Sequence, residues 1–208
     1  MSQQQSLVYV VDDDLSICRA MSLLLSSYGY AVKTFSRAED FLATDHAKTV
    51  SCLVLDVNLP GLNGIALQET MAEQGLAIPI IFVTGHGNIP MSVKAMKAGA
   101  VDFLPKPFVD TELLAAIARA VAKNKMQNKD ASEIAAINSR IKTLSPRELE
   151  VFCFVAAGML NKQIAFKRGT SLQTIKVHRG RVMQKMQAKT VTELIGMAQK
   201  AAVALPLV

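Results

Sequence analysis

Six polar side chains in this sequence follow apolar runs, and their types suit the handling of a phosphoryl group. Asp12, Asp13 and Asp14 follow Leu7–Val11, Asp56 follows Cys52–Leu55, Thr84 follows Ile78–Val83, and Lys106 lies just beyond Val101–Leu104. Runs without polar alternation read as strands buried on both faces of a parallel sheet, whose carboxyl ends converge at one edge. Carboxylates gathered there repel each other unless a divalent cation lies among them and a fixed lysine shares the field. A transferring phosphoryl group spreads negative charge over its oxygens, so a carboxylate nucleophile needs a metal, a cation (Lys106) and a hydroxyl (Thr84).

Helical segments alternate with these runs and must position them. Residues 15–28 place Ile17, Met21, Leu24 and Leu25 at helical spacing, with Asp14 as N-cap rather than ligand and Gly29 ending the helix. A short strand at 31–35 precedes a short helix at 38–43, with Ser36 as its expected cap. Residues 59–64 form a loop before a helix that reaches about residue 74. Asn88 caps a helix that carries Pro90 in its first turn, and a fifth helix over 111–122 puts Leu113, Leu114, Ile117 and Val121 on one side. His86 reads as a loop residue without catalytic duty, and Pro105 and Pro107 make a rigid turn around Lys106. Right-handed crossovers then give a (βα)5 doubly wound, flavodoxin-like sheet over residues 1–122.

Charge divides the 208 residues in two. Residues 1–122 hold 8 Lys/Arg against 12 Asp/Glu, and residues 123–208 hold 15 against 5, within a total of +6. The second part expects an anionic partner. Cys18, Cys52 and Cys153 are widely spaced in apolar segments and read as buried reduced thiols. Met1–Ser6 is polar and uncharged, unlike a secretory signal, and the apolar stretches are too short to span a membrane. The expectation is a soluble cytoplasmic protein.

Residues 123–143 form a polar linker in which Ile134, Ile137, Ile141 and Leu144 fall at heptad-like spacing. Two readings stand: a helix that pairs with its own copy, or a connecting helix whose apolar side rests on one of the domains. Four helices follow in 144–208. Ser145-Pro146-Arg147-Glu148 is a capping-box start, Asn161–Lys167 a short second helix, and Gly169 a turn. Ser171 caps a third helix to about Met186 and Thr190 a fourth to about Val203. Short helices with a glycine turn before a basic helix are the helix-turn-helix pattern. At 100° per residue the third helix turns Ile175, Val182 and Met186 inward. Lys176, Gly180 and Gln184 lie on its outer face with Val177 and Arg181 beside it, a set suited to a major groove.

Val10-Val-Asp-Asp-Asp14, Leu55-Asp-Val-Asn-Leu-Pro60, Thr84-Gly-His-Gly87 and Asp102-Phe-Leu-Pro-Lys-Pro-Phe108 resemble a response-regulator receiver domain, CheY-like in fold. The resemblance implies that Asp56 accepts a phosphoryl group from a sensor histidine kinase. It also implies that Mg²⁺, or Mn²⁺, is held by Asp12 (mostly through water), Asp13, Asp56 and the Asn58 backbone carbonyl. Thr84 and Phe103 would switch inward together, and a cis peptide would precede Pro107. Leu144-Ser-Pro-Arg-Glu-Leu-Glu-Val151, Asn161-Lys-Gln-Ile-Ala165 and Thr174-Ile-Lys-Val-His-Arg179 resemble the LuxR-type DNA-binding domain. Together the two are similar to a FixJ/NarL-type transcriptional regulator. That resemblance implies a homodimer on phosphorylation through residues 88–122, binding to double-stranded DNA, and contact with RNA polymerase. It places Lys176, Val177 and position 180 against bases, while Asn161, Lys162, Thr174 and Arg179 support phosphate contact or helix position. Arg181 joins the DNA-facing set.

Arg168 and Thr170 stand where the family carries core-facing leucine and isoleucine, so Phe166 or Leu160 is expected to refill the space, or Arg168 to reach a phosphate. Two other functions compete with the regulator reading. Enzymes with an aspartyl nucleophile carry a second acid two residues on, where this chain has Asn58. The C-terminal module could instead serve assembly without reading DNA.

Overall fold

Uninterrupted apolar runs become strands because both of their faces are covered. The computed structural model describes residues 5–45, 50–85 and 89–206. It divides into two compact units, Met1–Gln127 and Asn128–Val208. The first alternates β1 (Leu7–Val11), α1 (Leu15–Ser27), β2 (Ala31–Phe35), α2 (Ala38–Leu42), β3 (Val50–Asp56), α3 (Gly64–Glu73), β4 (Ile80–Thr84), α4 (Ile89–Lys97) and β5 (Asp102–Pro105). The strands pair in parallel in the order β2-β1-β3-β4-β5. Successive side chains of each strand point to opposite faces, which makes two cores. Tyr9, Leu53, Leu55 and Phe82 pack with Phe41, Leu67 and Met71 on one face. Val8, Val10, Val54 and Ile81 pack with Met21, Leu25, Leu113 and Ile117 on the other. The strand order reverses direction at β1, so the crevice of this sheet opens at the carboxyl ends of β1 and β3.

Asp14 caps α1 as expected, its carboxylate accepting from the backbone N–H groups of Ser16 and Ile17. Ser36 does not cap α2. That position falls to Arg37, which makes no side-chain capping bond, because the helix begins at Ala38, one residue beyond the position Ser36 would cap. β4 starts at Ile80 rather than Ile78, since Pro79 has no N–H for a ladder. Asn88, the expected cap of α4, and His86 lie outside the described residues.

The fifth helix does not end at residue 122. It is one helix, α5 (Asp110–Ile141), because the charged stretch after it contains neither glycine nor proline. Within the second unit Ile137 is buried with Val151, Phe152 and Ile164, and Ile141 packs beside them, while Ile134 stays partly exposed. This is the connecting-helix reading: the apolar side rests on the core of its own unit.

The second unit continues with α6 (Pro146–Ala156), α7 (Asn161–Arg168), α8 (Leu172–Met186) and α9 (Val191–Lys200). Ser145 and Glu148 form a complete capping box, and Ser171 and Thr190 cap α8 and α9. Gly169 takes the left-handed conformation (φ 58°) that turns α7 into α8. Glu148 is almost fully buried and accepts from Lys185 Nζ at 2.6 Å and from the Ser145 backbone N–H at 2.9 Å. The Lys185 ammonium, then the Ser145 N–H, holds the Glu148 carboxyl down from 4.5 to about 2. A depressed carboxylate stabilises the fold above its ordinary pKa and stops doing so as pH falls through the folded value. Glu148→Gln is therefore expected to remove the part of the acid dependence of unfolding that lies between pH 4.5 and about 2. Urea titrations of both proteins across that range check it; identical pH profiles would contradict it.

Candidate functional site

The carboxyl ends of four strands bring the expected acids, threonine and lysine together. Asp12 follows β1, Asp56 ends β3, Thr84 ends β4, and Lys106 follows β5. Lys106 Nζ donates to Asp12 Oδ2 at 2.5 Å and to Asp56 Oδ2 at 2.7 Å. The Lys106 backbone N–H also donates to the Thr84 carbonyl at 2.7 Å, which fixes the loop at the sheet edge. The peptide before Pro107 is cis. Asp12 and Asp56 are buried and Asp13 exposed, yet one carboxylate oxygen from each lies within 4.8 Å of the others. Hard oxygen donors at this spacing suit Mg²⁺, with the exposed side open to water and substrate.

Burial raises the Asp12 carboxyl above its ordinary range, although the Lys106 hydrogen bond opposes this. At Lys106 burial acts to lower the pKa, but the hydrogen bonds to Asp12 and Asp56 outweigh it and the net shift is upward. The ammonium is thus held charged between two carboxylates. Cys18 Sγ donates to the Asp12 carbonyl at 3.3 Å, so the nearby thiol supports the backbone of the acid cluster.

Two contributions escaped the reading of the chain. Asn58, expected only for its backbone carbonyl, donates its side-chain amide to Thr84 Oγ1 at 3.1 Å, and its N–H donates to Asp56 Oδ1 at 3.0 Å. Gly64 donates its N–H to the Val57 carbonyl, and a Cβ there would lie 2.3 Å from the Asp56 carbonyl oxygen. The glycine in Pro60-Gly-Leu-Asn-Gly64 was the available signal, but only the folded loop reveals what it touches. Phe103 is half-buried beside the core, with its ring 6.1 Å from that of Phe82.

In the second unit α8 buries Ile175, Val182 and Met186, as its periodicity requires. Thr174, Lys176, Val177, Gly180 and Arg181 are exposed, as is Lys162 on α7. The Arg179 guanidinium donates to Asn161 Oδ1 at 2.6 Å, tying α8 to the start of α7. Thr174 bonds through its hydroxyl with Ser171 at 2.8 Å. Phe166 and Leu160 do not refill the space beside Thr170; they are 92% and 67% exposed. Arg168 instead pairs with Glu150 at 2.7 Å, an ion pair between α7 and α6. Gly180 has open space around its Cβ position.

A parallel doubly wound sheet with acids and a lysine at its crevice, followed by a helix-turn-helix unit, defines a signalling regulator that reads DNA. Residues 8–118 match the response regulator receiver domain, and residues 142–198 the luxR family of bacterial regulatory proteins. The chain belongs to the FixJ-type response regulators. It is 45% identical over 195 residues to Nodulation protein W of Bradyrhizobium diazoefficiens, covering 94% of this chain and 86% of that one. It is 42% identical over 194 residues to the transcriptional regulatory protein FixJ of the same organism, covering 93% and 95%. Among solved structures, the response regulator StyR superposes with a TM-score of 0.82 at 40% identity, covering 93% of this chain and 98% of that one.

The contact between Gly64 and the Asp56 backbone carries a consequence for stability. Gly64→Ala is expected to cost about 1–3 kcal/mol, because the added methyl meets backbone rather than a movable side chain. Gly196→Ala, in open space on α9, is expected to be neutral or mildly stabilising. Denaturant unfolding followed by circular dichroism measures both.

Proposed function

We propose that Asp56 is the phosphoacceptor of a two-component pathway and that its phosphorylation controls DNA binding by the second unit. The observation that carries this is the Lys106 ammonium bonded to both Asp12 and Asp56 beside a three-carboxylate cluster. A sensor histidine kinase is the donor: the phosphohistidine P–N bond breaks and an Asp56 O–P bond forms. Mg²⁺, or Mn²⁺ in its place, would be held by Asp12, Asp13, Asp56 and the Asn58 carbonyl and would neutralise charge on the phosphoryl oxygens. Lys106 supplies a fixed cation to the same oxygens. The Thr84 hydroxyl, held by Asn58 before transfer, turns to the new phosphoryl group, and Phe103 moves inward behind it. The chain catalyses only its own phosphorylation and the loss of that group, and turns over no other substrate.

Residues 1–122 act as the receiver, 123–143 as the linker, and 144–208 as the DNA-binding domain. Phosphorylation pairs two chains through residues 88–122, so that two reading helices meet a two-fold site. Lys176, Val177 and the gap at Gly180 face bases. Lys162, Thr174 and Arg181 contact phosphates, and Arg179 with Asn161 orients the helix. RNA polymerase is the further partner. Among the described residues no helix is long and apolar enough to cross a membrane, and the bacterial cytoplasm is where DNA and kinase are met.

Asp56→Asn is expected to abolish labelling by acetyl phosphate in the presence of Mg²⁺ while the circular dichroism spectrum is kept; undiminished label would remove Asp56 from its role. Lys162→Ala is expected to weaken DNA binding evenly across sequences and lower the salt slope by about 1. Val177→Ala is expected to change preference between sites with little effect on that slope. Fluorescence anisotropy against specific and mixed DNA at several salt concentrations reads both. Binding that ignores salt would favour an assembly module instead.

A further inference from the structure

One residue of the loop between β3 and α3 touches both Asp56 and Thr84. Asn58 donates its backbone N–H to Asp56 Oδ1 at 3.0 Å and its side-chain Nδ2 to Thr84 Oγ1 at 3.1 Å. Lys106 holds the other carboxylate oxygen, Asp56 Oδ2, at 2.7 Å. The main chain of Thr84 is fixed: it ends β4, its carbonyl accepts from the Lys106 N–H at 2.7 Å, and the residue is fully buried. Rotation about its Cα–Cβ bond is the motion left to Thr84, and any such turn moves Oγ1 relative to the Asn58 amide.

The two ends of this side-chain bond differ in their surroundings. Asn58 is exposed and lines a cleft of about 460 Å³ with Ile65 and Met91, so a released amide meets water at once. The Thr84 hydroxyl is buried, and a buried hydroxyl exchanges one partner for another rather than going without. A phosphoryl group on Asp56 brings acceptor oxygens to which the hydroxyl can donate, where at rest it accepts from an amide. We infer that Asn58 is a positioning residue that restrains the switch: its amide holds the Thr84 hydroxyl in the resting rotamer and sets how strongly the unphosphorylated chain resists activation. The inference rests on the reading of Asp56 as phosphoacceptor and adds the contact that opposes its effect. One neutral hydrogen bond on a solvated amide biases the equilibrium between resting and switched states about threefold to tenfold. A bond to a charged phosphoryl oxygen is the stronger of the two, so phosphorylation overcomes the restraint.

Beryllofluoride, which forms a phosphoryl-like adduct on a carboxylate, is titrated at saturating Mg²⁺ into the full-length protein and into Asn58→Ala. The variant keeps the backbone N–H and carbonyl of position 58. NMR follows the Thr84 methyl group, whose couplings to the backbone report its rotamer. Before beryllofluoride is added, Thr84 is expected to hold one rotamer in the unaltered protein and to average between rotamers in Asn58→Ala. The variant is then expected to bind beryllofluoride about threefold to tenfold more tightly. In a Thr84→Val background, where the hydroxyl is gone, Asn58→Ala should bring no gain. Equal or weaker binding by Asn58→Ala overturns the inference, as does an unchanged rotamer distribution at Thr84. A gain that persists with Thr84→Val overturns it too, since Asn58 would then act through something other than the hydroxyl. Asp56→Asn separates the two readings. A beryllofluoride response that survives it removes Asp56 from its role and the restraint with it; a response that it abolishes, with no gain in Asn58→Ala, sinks the restraint alone.

Discussion

The first unit is organised around one ammonium group held between two buried carboxylates. Asp12 and Asp56 arrive on adjacent strands, and without a counter-charge their approach would be repulsive in a site that excludes most water. Lys106 crosses from β5 to meet both. Its backbone bond to the Thr84 carbonyl keeps the side chain over the mouth of the sheet, so the lysine is placed by strand pairing rather than by its own flexibility. Parallel pairing of β1 with β3, β3 with β4 and β4 with β5 is thus the condition for the charge cluster to exist.

Polar anchoring plays the corresponding part in the second unit. Glu148 binds Lys185 near the end of α8, and Asn161 binds Arg179 at its middle, so two hydrogen-bonded pairs hold this helix against α6 and α7. The Arg168–Glu150 pair also ties α7 to α6. That pair is about one-third exposed and contributes modestly; Ile164, Ile175 and Val182 supply the burial.

Much of this was legible in the chain because its signals are local. An apolar run that ends on aspartate specifies both a buried strand and the place of its last side chain, so Asp12, Asp56, Thr84 and Lys106 could be brought to one edge from order alone. The caps at Asp14, Ser145, Ser171 and Thr190 were likewise visible within a few residues. What stayed hidden depends on register between distant segments. The Asn58 amide reaches Thr84 across 26 positions, and Arg168 meets Glu150 only once α6 and α7 have packed. The end of the fifth helix was misplaced for a different reason. The charged stretch 123–133 has no apolar periodicity to join the fifth helix to the linker helix, yet nothing in it breaks a helix already begun.

The division of labour on α8 bears on how such regulators diversify. Its buried stripe of Ile175, Val182 and Met186 and its two polar ties fix where the helix lies, while Lys176, Val177 and Gly180 are exposed. Under the proposed function, substitutions at those three exposed positions would alter a promoter address with little penalty to folding. A duplicated gene could acquire a new regulon through them while its descendants kept the same scaffold and the same response to their sensor.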